Sequence, residues 1–134
     1  MRGARAVSDV FAQNDSGALR GFLVWLPMVA TDAAPAADDE ALLLHDARVT
    51  HSWDPARLAG RLFKKPLGLW GTAWDVYLVY APGVAWTDES PPTPTLWMHQ
   101  LGSDPGAPRD RALDPARLSA EVRSALQAAH APAF

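Results

Sequence analysis

A chain of 134 residues with a formal charge of −3 and 49% apolar residues has the size and composition of one globular domain, residues 1–134. Without a cysteine it forms no disulfide, holds no zinc through thiolates and performs no dithiol–disulfide exchange by itself. No apolar run approaches the ~20 residues of a membrane span and no signal-peptide segment follows Met1. The expectation is therefore a cytoplasmic protein with no membrane partner.

The first element is a helix. Val7, Val10 and Phe11 fall at i, i+3 and i+4, and Asn14, Asp15, Ser16 and Gly17 supply the stop. A start inside the first helical turn raises the expectation of a missing upstream piece. Residues 21–29 form a continuous apolar run, which predicts a central strand buried on both faces, with Pro27 at or beyond its carboxyl end. A helix is expected from about Pro35 to Asp46, with Asp38, Asp39 and Glu40 where the helix dipole favours negative charge. Val49, His51 and Trp53 then alternate with Arg48, Thr50 and Ser52, the pattern of a half-buried strand near a sheet edge.

The words Asp54-Pro55-Ala56-Arg57-Leu58 read as a helix start, with Asp as N-cap and Pro at the first helical position. Leu58 and Leu62 line its buried side, and Arg57, Arg61, Lys64 and Lys65 form a solvated face. The same words recur from Asp114 to Leu118, where they start the final helix, expected to reach about His130. Residues 74–80 are rich in aromatic and β-branched side chains, and Ala81, Pro82 and Gly83 turn the chain after them. Residues 95–101 are a further strand, expected to pair antiparallel with the first across a proline-rich connection.

The resulting order, α-β-α-β-α-β-β-α, favours parallel strands with right-handed crossovers and an antiparallel finish. Through Val24-Trp25-Leu26-Pro27-Met28 with Asp32 beyond, and through Trp74-Asp75-Val76-Tyr77-Leu78-Val79-Tyr80 with Pro82-Gly83, the chain resembles the thioredoxin-like superfamily, especially its peroxiredoxin and copper-chaperone-like branches. One further strand before Ala4 would complete the thioredoxin order. The resemblance implies an α/β three-layer sandwich, with a mixed sheet of about four strands flanked by helices. The family's redox motif then belongs either at residues 28–32, which hold no sulfur nucleophile, or upstream of Met1, the preferred register. Where thioredoxins often carry a cis-proline before the penultimate strand, this chain has Ala73.

Residues 66–108 contain no Lys or Arg but four of the six tryptophans, a poor match to base stacking beside phosphate-holding cations. Nucleic acid is therefore not an expected partner. His45, His51, His99, Asp32 and Asp54 are the candidate metal ligands, without the i, i+4 helix spacing of a zinc hydrolase. No Gly-x-Ser-x-Gly context or phosphate-cradling loop is present. Ligand-binding candidates are Asp32, Trp53, Asp54, Trp70, Trp74 and Trp86, placed to line a crevice at the carboxyl ends of the strands. The leading expectation is a cysteine-free thioredoxin-like domain that binds a small molecule or protein, with no cofactor. The alternatives are the C-terminal part of a thiol–disulfide oxidoreductase whose Cys-x-x-Cys lies upstream of Met1, and a His/Asp metal-binding protein. A vacant strand position would further promote self-association through an open sheet edge.

Overall fold

The computed structural model describes residues 2–32, 44–87, 89–102 and 106–130. Helix α1, Arg2–Gln13, buries Gly3, Ala6, Val10 and Phe11 on one face. It ends where the Asn14 side-chain amide donates to the Val10 carbonyl at 2.8 Å. Strand β1, Gly21–Trp25, pairs in parallel with β2, Val49–Trp53, placing Leu23 opposite His51 and Trp25 opposite Trp53. Helix α2, Leu58–Leu67, leads to the antiparallel pair β3, Val76–Val79, and β4, Leu96–His99. Helix α3, Pro115–His130, follows a short 3-10 turn at Arg109–Arg111. The described residues thus form a mixed α/β structure of three α-helices and two two-stranded sheets.

Alternation along β3 and β4 sends side chains into two cores. On one face Tyr77, Val79, Leu96 and Met98 meet Ala6 and Val10 of α1 and Leu118 and Val122 of α3. On the other, Val76, Leu78 and Trp97 meet Leu67, Leu69, Ala73 and Leu101. Met98 is fully buried at 0% exposure, and burial of a side chain that size contributes about 1.5–3 kcal/mol. The outer edge of β4 is covered in part, because the His99 carbonyl accepts from the Leu113 N–H at 2.8 Å and the Arg111 guanidinium lies 5.2 Å from the Trp97 ring centre.

The β1–β2 sheet is held to α1 by close contact and by charge. Gly21 admits the Phe11 ring, which a Cβ there would approach to 2.7 Å. The Arg48 guanidinium donates to the carbonyls of Asn14 (2.7 Å) and Phe11 (2.8 Å), satisfying acceptors that a helix end leaves open. Its second edge binds the Asp46 carboxylate at 2.7 Å.

Several expectations need correction. The four strands form two separate pairs, not one continuous sheet. β1 is not buried on both faces: Phe22 is 76% exposed and Val24 46%. The reason is that α1 packs where Gly21 lies, leaving the residues of opposite parity open. β2 keeps its expected alternation, with Val49, His51 and Trp53 half-buried. Of the helix expected over residues 35–46, residues 35–43, with Asp38, Asp39 and Glu40, lie outside the described residues, and His45 and Asp46 are not helical.

The repeated helix-start words behave differently at their two sites. At Asp114 the carboxylate accepts from the Arg117 N–H at 3.0 Å, and α3 begins at Pro115 as expected. At Asp54 the backbone N–H instead donates to the Trp25 carbonyl at 2.9 Å, extending the ladder past Trp53. The chain then turns through Arg57, whose φ of 55° is left-handed, and α2 begins only at Leu58.

Candidate functional site

A cleft of about 590 Å³ opens at the carboxyl end of β4, lined by Arg2, His99, Gln100, Gly102, Arg109 and Leu113 among others. Its wall is positioned by Gln100, the residue that follows β4. The Gln100 backbone N–H donates to the Asp75 carbonyl at 2.9 Å. Its side-chain Nε2 donates to Asp75 Oδ1 (3.1 Å) and to the Tyr77 hydroxyl oxygen (2.8 Å). Tyr77 in turn donates its hydroxyl hydrogen to Asp75 Oδ1 at 2.5 Å. Asp75 adopts a φ of 51°, uncommon for any residue but glycine.

Burial, and then the Asp75 carboxylate, push the Tyr77 phenol well above its ordinary range, so it remains a donor at physiological pH. Gly3 of α1 backs onto this trio, and a Cβ there would collide with the Tyr77 side chain and the Gln100 amide. A small residue in the first turn of α1 is therefore what lets the helix reach the cleft.

The two strand histidines are occupied. His99 is 3% exposed, its Nδ1 accepts from the Leu101 N–H at 3.2 Å, and its Nε2 faces the Pro108 carbonyl at 2.7 Å. That pattern assigns the proton to Nε2. His51 has the same tautomer, with Nδ1 accepting from the Trp25 indole and Nε2 donating to the Leu44 carbonyl, each at 3.2 Å. His45 is exposed, and no group of three His, Asp or Glu side chains able to hold a metal ion gathers among the described residues.

The six residues expected to bind ligand lie elsewhere than this cleft. Asp32 accepts from the N–H groups of Met28 (2.7 Å) and Val29 (2.9 Å), closing the turn after β1. Asp54 accepts from the Ala59 N–H at 2.8 Å. Burial raises its pKa, but hydrogen bonds from the backbone of Ala59, Leu58 and Ala56 outweigh this and hold the carboxyl below its ordinary range. Trp53 closes β2 opposite Trp25. Trp86 stands edge-on to Phe63 of α2 at 5.7 Å between ring centres, Trp70 is 73% exposed beside Gly106, and Trp74 is 39% exposed.

Arg2, Gln100, Arg109, Asp75 and Tyr77 were not among the expected site residues; Asp75 and Tyr77 entered only as part of a strand. They come from the start of α1, the facing ends of β3 and β4, and a 3-10 turn, with no spacing to tie them together. No family model, curated protein or solved structure matches this chain.

Proposed function

We propose that this chain is a thioredoxin-like α/β domain that works in the cytoplasm as a binding or interaction module without a redox centre of its own. The observation that carries the reading is the cleft at the end of β4. Its volume of about 590 Å³ lies within the range of small-molecule sites. Its wall is pre-organised by the Asp75–Tyr77–Gln100 hydrogen bonds, and the chain carries no thiol to make it a disulfide exchanger. The architecture is supported by a parallel β1–β2 unit followed by an antiparallel β3–β4 unit and a closing helix. The exposed rings of Trp70, Trp74 and Trp86 offer a second contact surface.

Calorimetric titration of the whole protein with a panel of acidic, basic and neutral small organic ligands tests the reading. A saturable change with at least one class is expected, and a flat response to the whole panel removes it. A second reading, the C-terminal part of a thiol oxidoreductase, is favoured by the place of the α1 amino end beside the cleft. Intact mass and N-terminal sequencing of the native protein decide it. A Cys-x-x-Cys ahead of Ala4 would establish that reading, and a chain beginning at Met1 would end it.

A further inference from the structure

We infer that the cleft at the end of β4 selects an oxyanion, a carboxylate or phosphate that also carries a hydrogen-bond donor. This rests on the binding-module reading and gives it a ligand class. Two arginines from unconnected elements line the cleft, Arg2 at the start of α1 and Arg109 in the 3-10 turn. Among the described residues neither side chain has a hydrogen-bond or ion-pair acceptor. Arg48, Arg111 and Arg117, by contrast, each donate to the protein. Two like charges at one concavity repel, and an oxyanion relieves that while matching the planar donor fork of each guanidinium.

The charges around the cleft agree. α1 has no acidic residue in its first turn to answer Arg2. The Asp75 carboxylate, bonded to the cleft wall through Gln100, accepts from Tyr77 and Gln100 at Oδ1 and forms no ion pair with either arginine among the described residues. Gln100 itself adds the second element of recognition. Its Nε2 is committed to Asp75 and Tyr77, which leaves Oε1 as an acceptor with no donor among the described residues. An oxyanion bearing a hydroxyl or amino group satisfies the two arginines and this amide oxygen together.

Malate, inorganic phosphate and the neutral probe glycerol, each titrated by calorimetry into the whole protein, test the inference. Malate or phosphate is expected to bind saturably, and which one binds identifies the ligand as a carboxylate or a phosphate. Arg2→Gln and Arg109→Gln should each weaken that binding by about tenfold or more, while Arg123→Gln on the exposed part of α3 leaves it unchanged. Oxyanion binding that is equal in all three variants overturns the inference. So does glycerol binding as well as malate, or neutral ligands of the panel binding where oxyanions do not; each of these leaves the module reading standing. Silence of every ligand overturns both.

Discussion

Arg48 joins the end of α1 to the strand that follows Asp46. Its guanidinium bonds the Phe11 and Asn14 carbonyls, lies 5.0 Å from the centre of the Phe11 ring and pairs with Asp46. The side-chain hydrogen bond from Arg48 is the main reason the Asp46 carboxyl is pulled down to about 2. Because the folded pKa lies below the unfolded one, this contribution is complete above the unfolded carboxylate range and is lost as pH falls from about 4 towards 2. Asp46→Asn should therefore lower the urea midpoint modestly at pH 6, and the two proteins should converge near pH 2. A gap of constant size across that range would contradict the assignment. None of this was legible beforehand: Asp46 read as the tail of a helix and Arg48 as an outward strand position. Arg48, held by Asp46, acts through the carbonyls of Phe11 and Asn14 at the end of a helix more than thirty residues earlier in the chain, a relation that local periodicity does not encode.

Among the elements, the two Asp-Pro-Ala-Arg-Leu stretches separate what local sequence dictates from what its surroundings dictate. Asp114 is free to cap, whereas the Asp54 backbone is drawn into the β1–β2 ladder, so the same five residues give a helix start and a left-handed turn. Asp114→Ala should cost about 1 kcal/mol, the usual loss for an N-cap. Asp54→Ala should cost more, since its carboxylate draws on the N–H groups of Ala59, Leu58 and Ala56 leading into α2. Urea unfolding of the two variants checks the ranking, and an equal or reversed loss would refute it. Elements with clear periodicity, α1, β2 and α3, were readable from their apolar spacing. β1 was not, because an unbroken apolar run tells which side chains avoid water but not what covers them, and Phe22 and Val24 remain open.

For the whole molecule, the antiparallel pairing of β3 with β4 and the parallel setting of β1 and β2 were legible, while the division of the four strands into two separate sheets was not, because contacts between distant segments leave no local pattern. The cleft escaped for the same reason: its residues come from both ends of the chain, whereas aromatic density drew attention to the middle. β1 and β3 each present one edge with no ladder partner among the described residues, beside the exposed Phe22 and Val24. Open edges of this kind template pairing with another chain, and we propose concentration-dependent self-association through β1. Sedimentation should show a species heavier than the monomer at high concentration, and Val24→Lys should suppress it; a strict monomer at every concentration would refute the proposal. Helix α1 couples the parts on which these properties depend. Phe11 near its carboxyl end lies against Gly21 of one sheet, while Ala6 and Val10 are built into the core of the other. Its 12 residues make a rod about 18 Å long. Neither sheet can melt without stripping a face from the same rod, which couples the two sheets through α1. By the same linkage, a ligand that steadies the amino end of α1 lends its binding energy to a sheet it never touches.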